Sequence, residues 1–367
     1  MLIKGAILEE MGRSFPYSKS LPISISKVQL SEPLEHEVLV RIESAGICHS
    51  DLAVVQGVRP RPTPMLLGHE AAGIVETFGS EVSGLNCGDR VVMTFAPRCG
   101  NCAGCSSNGA MSCINGTKSN VAGDLLSGGK RLTRDGNQIN HHLGVSAFAD
   151  YAVVDYRSIV KVDSDIPPQV AALLGCAVLT GGGALLNAVT LKPDQSVAIV
   201  GLGGVGLAAL ITAIALKTEK VYGIDLNEKK RSHALKLGAT RVFSGDEAMA
   251  EGLKADVVIE AVGISKAFEL GLDLTAPGGT LVTVGLPAAN DLATISPLAL
   301  VSQGKKIVGS YLGSAVAARD IPKFADLWRG GLLPVESLVS STITLEEINL
   351  GMDRLEKGDE LRQMITF

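Results

Sequence analysis

Seven cysteines and six histidines set the limits of the metal chemistry open to this chain of 367 residues. Cys99, Cys102, Cys105 and Cys113 follow the spacing C-x2-C-x2-C-x7-C in a loop that also holds Gly100, Gly104 and Gly109. Four thiolates from one short segment can close a tetrahedral shell around zinc with no open position, which makes such a site structural. Two other chemistries stay open at this point. Iron–sulfur clusters use similar spacings, and a secreted chain would pair these thiols as disulfides. The first ten residues carry Lys4, Glu9 and Glu10 and lack the apolar core of a secretion signal, so a reducing, cytoplasmic compartment is the expectation.

Three more candidates are scattered: Cys48 in GICHSD, His69 in GHE and Cys176 in GCA. Taken singly, each reads as a buried cysteine or a polar loop histidine. Together they would offer two thiolates and one imidazole, leaving a fourth position for water or substrate, which is the pattern of catalytic zinc. Spacing alone does not assemble them. Cys87 reads as a packing residue, and His36 and His233 read as surface groups. His141 and His142 are adjacent, so their side chains point apart, and neither is taken as a ligand. Phe95 reads as a pocket wall or as ordinary core.

A third signal is Gly201-Leu202-Gly203-Gly204-Val205-Gly206, which follows a short apolar strand and opens an uncharged helix. Gly201 permits a tight turn, Gly203 lets the backbone approach a pyrophosphate, and Gly206 allows helix and strand to touch. Free amides at the helix N-terminus favour the phosphate charge. Asp225 ends the next strand, nineteen residues beyond Gly206, where a carboxylate bonds the adenosine ribose hydroxyls and repels a 2′-phosphate. That selects NAD over NADP.

These groups need elements to hold them. Before about residue 165 the chain alternates β-patterned runs (Val38 to Ile42, Gly73 to Glu76, Arg90 to Met93, Tyr151 to Val154, Ile159 to Val162) with glycine and proline, as in a mostly β domain with long loops. After Pro193 strand and helix alternate. The strands are Val197 to Val200, Val221 to Ile224, Arg241 to Phe243, Asp256 to Glu260, Thr280 to Val284 and Lys306 to Val308. Leu207 to Lys217 and Glu228 to Leu237 are helix-length segments between them. Six strands in this order predict an α/β fold containing a Rossmann-type, doubly wound parallel sheet. Glycine supplies 42 residues, about 11% against a usual ~7%, and two uncharged runs, Ile166 to Leu191 and Ser196 to Leu216, reach membrane-spanning length. Their glycines, and Pro167 and Pro168 at the start of the first, argue for buried protein segments instead. A net charge of −5 with 4% aromatic residues excludes a basic, aromatic-rich nucleic-acid surface.

In order and spacing, GICHSD, GHEAAGIVE, GDRVV, the four-cysteine lobe, HHLGVSAFADYAVV, GCAVLTGGGA, GLGGVG, Asp225, VGLP and the closing LRQMITF resemble the zinc-dependent medium-chain alcohol dehydrogenases from end to end. The resemblance implies a GroES-like, mostly β catalytic domain over residues 1–177 plus 312–367, with the NAD-binding Rossmann domain over 178–311 inserted in it. It implies two Zn2+ per chain. Cys48, His69 and Cys176 would hold the catalytic ion, with Glu70 behind it as a transient ligand, and Cys99, Cys102, Cys105 and Cys113 the structural one. Asp51 would orient His69, raising its basicity. The cofactor would be held by the turn from Gly201 through Gly203, Gly204, Val205 and Gly206. Asp225 and Lys230 would meet the ribose, Thr180 and Val284 the nicotinamide side, and His49 and Arg362 the pyrophosphate.

The resemblance also implies a reaction, the reversible transfer of hydride between primary or aromatic alcohols and NAD, with Ser50 taking the hydroxyl proton. Many relatives continue the proton relay with a histidine where this chain has Ala53. His49 in place of the arginine of some relatives implies looser, pH-sensitive cofactor holding. Two other functions are weighed: a formaldehyde–glutathione dehydrogenase, against which basic Arg59 argues, and a zinc-independent reductase-like dinucleotide-binding protein, against which the set Cys48, His69, Cys176, Ser50 and Asp51 argues. The long segment from Cys113 to His141 implies a homodimer joined through edge strands of the coenzyme domains.

Overall fold

The computed structural model describes residues 1–192, 194–358 and 360–367. Pro193, where the sequence rhythm changes, lies outside them. Backbone contacts divide the chain into two units, one of residues 1–107, 111–176 and 339–367, the other of residues 108–110 and 177–338.

The first unit is built on β structure. A five-stranded barrel joins Leu2–Leu8, Ile23–Leu30, Leu132–Arg134, Asn137–His141 and Met65–Leu66 around Ile3, Ile7, Val28, Leu30, Leu66 and Ile139. A seven-stranded sheet centres on Glu37–Ile47, which pairs with Glu70–Phe78, Tyr151–Asp155 and the C-terminal strand Gln363–Thr366. The tail therefore completes the first unit, with Gln363 opposite Ile47 at the doorstep of Cys48. The expected strands near residues 38–42, 73–76, 90–93, 151–154 and 159–162 all form. The barrel strands Leu2–Leu8 and Ile23–Leu30 are additions that the sequence reading does not name.

In the second unit β1 (Ser196–Val200), β2 (Lys220–Ile224), β3 (Arg241–Phe243), β4 (Ala255–Glu260), β5 (Thr275–Thr283) and β6 (Lys306–Gly309) form one parallel sheet in the order β3-β2-β1-β4-β5-β6. This is the doubly wound dinucleotide order, whose reversal beside β1 leaves a crevice at the carboxyl ends of the strands. Residues 312–338, expected with the first domain, belong here. A Cβ on Gly182 would collide with the Phe324 ring, and Asn187 donates to Asp320 and to the Gly313 carbonyl. Return to the first unit comes at residue 339, because the helix Ala317–Arg329 buries Ile321 and Phe324 within the second. The three-residue excursion 108–110 has a similar cause: Asn108 Oδ1 accepts from Arg319 at 2.6 Å.

Of the two uncharged runs, the first forms a helical segment over 168–188 whose apolar window is 89% buried inside the protein. The second is β1, the glycine turn and the helix Gly204–Ala215, buried along most of its length.

Candidate metal centres and dinucleotide turn

The chain makes a capped helix start at the first candidate ligand. Cys48 is the N-cap of the helix His49–Val55, and Asp51, three residues on, accepts the Cys48 N–H at 2.9 Å through Oδ2. Its other oxygen, Oδ1, lies 2.9 Å from His69 Nδ1. One buried carboxylate thus fixes the backbone of one candidate and the ring of another. His69 Nε2, aimed the opposite way, comes within 3.5 Å of Cys176 Sγ. Cys176 arrives on a π turn, Leu174–Val178, a local widening common at functional sites. Gly175 lets that turn press onto the strand Arg90–Met93, since a Cβ there would collide with the Met93 carbonyl.

The candidate ligand atoms of Cys48, His69 and Cys176 all lie within 4.8 Å of one another, and all three residues are buried. Burial opposes a charge on His69, but the Asp51 carboxylate and then Cys48 outweigh it and hold the imidazole up to about 10. Burial likewise opposes ionisation of Asp51, yet His69 and His142 keep its carboxyl down at about 2. The Cys48 thiol falls well below its ordinary value, chiefly through a hydrogen bond from Cys176, with Arg362 and His69 adding to the effect. The hydrogen bond to Cys48, then burial and the Cys48 charge, push the Cys176 thiol well above its ordinary value. One thiolate, one thiol and an imidazole backed by the Asp51 carboxylate thus converge, a donor set that fits zinc once Cys176 gives up its proton on binding the metal.

Glu70 lies behind His69. Gly46 makes the room, because a Cβ there would overlap the Glu70 carboxylate. Arg362 is 3% exposed, with Nη1 donating to the Ile47 carbonyl at 3.1 Å and Nε 3.4 Å from Glu70 Oε1. Its guanidinium is thus engaged inside the first unit, not free on the surface as a phosphate contact would suggest. Phe95 meets His69 edge-on at 5.3 Å between ring centroids, so it belongs to the wall of the site. Ser50 is half-buried and His49 exposed on the same helix.

His142, not expected as part of either metal group, stands at the His69 site. It is buried, its Nδ1 lies 3.2 Å from Asp51 Oδ1, and its ring meets that of His69 edge-on. His141 does point elsewhere, accepting the Arg131 N–H through Nε2 at 3.1 Å. Both rings are buried, and the adjacent pair splits, His142 turning to Asp51 and His141 to Arg131. Cys87, expected to pack, is exposed. It lies in the turn after Asn86, whose N–H is bonded to Asp89, and this turn sits at the surface. His36 is exposed as expected, while His233 is half-buried with Nε2 3.0 Å from the Ser337 carbonyl.

The four-cysteine lobe closes on itself. Sγ separations are 3.8 Å for Cys99 and Cys105, 3.6 Å for Cys102 and Cys105, and 3.8 Å for Cys102 and Cys113. Tetrahedral Zn–S bonds of about 2.3 Å place sulfurs about 3.8 Å apart, whereas a disulfide needs about 2.05 Å. An iron–sulfur cage, with inorganic atoms between its thiolates, would need them farther apart. None of the seven cysteines is paired in a disulfide. Main-chain N–H groups of Cys99, Gly100, Ile114 and Gly116 point at the sulfurs from 3.3–3.4 Å, and the one from Ile114 brings Cys102 down to about 6. Burial pushes Cys105 the other way, to about 11. The loop is shaped to carry thiolate charge.

At the glycine turn, Gly201 has φ +92°, and a Cβ on Gly206 would run into the Gly201 carbonyl. Nothing lies within 4 Å of the Cβ position of Gly203, the N-cap of the helix Gly204–Ala215, and no side chain caps that helix. Its first amides are therefore available to an anion. Asp225, half-buried at the end of β2, accepts the Leu202 N–H and the Asn227 N–H, each at 2.8 Å. This ties the turn to the carboxylate. Lys230 follows in the next helix, capped by Asn227; Val284, just past β5, and Thr180 are half-buried.

Residues 34–164 match the family model described as alcohol dehydrogenase GroES-like domain, and residues 204–329 that of zinc-binding dehydrogenase. Three solved structures are similar along the whole chain. An alcohol dehydrogenase zinc-binding domain protein from Burkholderia ambifaria is 29% identical with a TM-score of 0.92, covering 100% of this chain and 99% of its own. Benzyl alcohol dehydrogenase from Acinetobacter calcoaceticus is 28% identical with a TM-score of 0.90 and the same coverage. Alcohol dehydrogenase TADH from Thermus sp. ATN1 is 25% identical with a TM-score of 0.81, covering 99% of each chain. The chain belongs to the zinc-dependent medium-chain dehydrogenase family, with a GroES-like domain and a Rossmann domain. It is an oxidoreductase of the alcohol dehydrogenase type that uses zinc and a nicotinamide cofactor.

Proposed function

We propose that the protein is an NAD-dependent dehydrogenase of primary or aromatic alcohols that works with two zinc ions per chain. The observation that carries this reading is the convergence of Cys48, His69 and Cys176 within 4.8 Å, with Asp51 behind His69. Zinc bound there supplies Lewis acidity that brings an alcohol hydroxyl within reach of ionisation near neutral pH. The net reaction converts alcohol and NAD+ to aldehyde, NADH and a proton.

The chain's own residues divide the remaining work. Ser50, two residues past Cys48, relays the hydroxyl proton, accepting it at Oγ as its own proton passes to water or the ribose hydroxyl. Asp51 holds the Cys48 main chain and His69 in place, and Phe95 gives the reacting carbon an apolar wall. The amides from Gly203 to Gly206 bind pyrophosphate. Asp225 bonds the ribose hydroxyls, supported by Lys230, and Thr180 and Val284 line the nicotinamide. His49 faces the pyrophosphate. Arg362, ion-paired with Glu70, offers it long-range charge. With Ala53 where many relatives have a histidine, the proton leaves by way of water or the ribose hydroxyl.

The aromatic ring of Phe95 and full-length similarity to a benzyl alcohol dehydrogenase support benzylic substrates. Arg59 disfavours a glutathione adduct, whose amine would call for an acid. A homodimer formed along β6 is supported by that strand's open edge and by exposed Leu292, Leu298 and Val301 in the same unit. The test is an NADH-linked screen across aliphatic, benzylic and glutathione-adduct alcohols. The reading expects benzylic turnover that Cys176→Ala abolishes while NAD still binds; turnover surviving in that variant sinks it.

A further inference from the structure

His142 lies outside the Cys48–His69–Cys176 group but beside it, sharing Asp51 with His69. Its Nδ1 is 3.2 Å from Asp51 Oδ1, the same oxygen that lies 2.9 Å from His69 Nδ1. The two imidazoles meet at 88° with centroids 5.5 Å apart. The Nδ1 contact with Asp51 is bent, and Nε2 of this buried ring has no hydrogen-bond partner among the described residues. An under-satisfied buried polar ring costs stability. So does the loop that carries it, because Leu143 and Ser146, both non-glycine, hold φ at +53°.

That loop is laced to the segment leading into His69. Ser146 Oγ donates to the Leu66 carbonyl at 2.8 Å and accepts the His142 N–H at 2.9 Å. The Phe148 N–H reaches the Leu67 carbonyl at 3.0 Å, and the Ala147 N–H reaches that of Gly68 at 3.1 Å. Leu66, Leu67 and Gly68 are the three residues before His69, so one set of rungs fixes both rings relative to each other. Strain, incomplete bonding and a stiff mounting at one place point to a role in geometry.

We infer that His142 is a positioning residue: its ring wedges against His69 and its Nδ1 edge steadies the shared Asp51 oxygen, so that His69 Nε2 stays aimed at Cys48 and Cys176 and the centre keeps its metal. This rests on the reading of Cys48, His69 and Cys176 as a zinc site. Its consequence lies in metal retention, a property separable from turnover.

The experiment follows zinc release from the full-length protein to an excess of chromophoric chelator. The phase missing from Cys176→Ala belongs to the His69 centre, and the phase missing from Cys102→Ser belongs to the four-cysteine lobe, which serves as an internal control. His142→Phe is expected to speed only the His69-centre phase, by about tenfold or more. His142→Asn, which returns an amide N–H near Nδ1, restores it to within about threefold, whereas His142→Gln, whose amide falls nearer Nε2, does not. The Asn and Gln pair decides the matter if the Phe variant does not fold. Equal acceleration of both phases means a merely structural residue and overturns the inference, as does no acceleration. A wild type with no zinc phase that depends on Cys176 overturns the site assignment itself and the inference with it.

Discussion

Asp51 Oδ1 lies 2.9 Å from His69 Nδ1 in a fully buried contact, while Oδ2 of the same carboxylate bonds the Cys48 N–H. Asp51 therefore serves two metal ligands at once, fixing which nitrogen of His69 is free and where the Cys48 backbone sits. Replacing it with Asn keeps the shape but removes the charge and sets an NH2 donor where one of the two N–H groups had an acceptor. Asp51→Asn is expected to weaken zinc retention and turnover by roughly 10- to 100-fold, read by metal analysis after dialysis and by kcat. An Asn variant with wild-type zinc and kcat would show the carboxylate charge to be dispensable.

The two cysteine groups should separate cleanly. Wild type is expected to carry two zinc ions per chain. Cys176→Ala loses one together with turnover, and Cys102→Ser loses the other together with thermal stability, because binding of the ion is coupled to closure of that loop. Metal analysis and melting of both variants provide the check. Loss of both ions in Cys102→Ser at an unchanged melting temperature would contradict a separate structural role.

Cofactor choice turns on Asp225. Asp225→Asn keeps an acceptor for only one of the two N–H groups, Leu202 or Asn227, because each bonds a different carboxylate oxygen, and it removes the charge that repels a 2′-phosphate. The ratio of kcat/KM for NADP over NAD is expected to rise by roughly 10- to 100-fold, in line with the ~1.5–3 kcal/mol carried by hydrogen bonds to charged groups. A ratio unmoved by the substitution would place the discrimination elsewhere.

His141 gives the protein an acid-sensitive core. Burial, with Arg131 and Lys130 nearby, holds its imidazole down to about 3, so it stays neutral and accepts the Arg131 N–H. An unfolded histidine titrates near pH 6.5. Between those values the unfolded chain binds the extra proton, so stability falls as pH falls. From pH 7 to pH 5 this residue should cost about 2 kcal/mol. Denaturant melts of wild type and His141→Gln at both pH values measure it: the variant should lose less on acidification, and parallel losses would refute the assignment.

The open edge of β6 and its exposed apolar neighbours should carry the dimer. Wild type is expected at twice the chain mass of 38.1 kDa, and Leu298→Glu with Val301→Glu should bring it to one chain mass in light scattering. A mass near four chains in the wild type would point to a different assembly.

The sequence by itself determined what depends on neighbours along the chain. A four-residue apolar strand, three glycines at fixed offsets and an acid after the next strand prescribe the dinucleotide turn locally, and the structure builds it. The four cysteines lie within fifteen residues, so their loop can close whatever the rest of the chain does. The alternation of strand and helix past the turn leads to the same six-stranded order for the same reason. Only the tertiary structure decided what depends on distance. Cys48, His69 and Cys176 come from a helix cap, a strand entrance and a π turn, and no spacing rule joins them. Which member of the His141–His142 pair faces Asp51 was set by the rungs between 146–148 and 66–68. The return of the chain to the first unit at residue 339 was set by where Phe324 finds its cover. Local hydrogen bonding and glycine geometry act over a few residues and are written in the sequence, whereas packing joins residues a hundred or more apart and becomes visible only once the chain has folded.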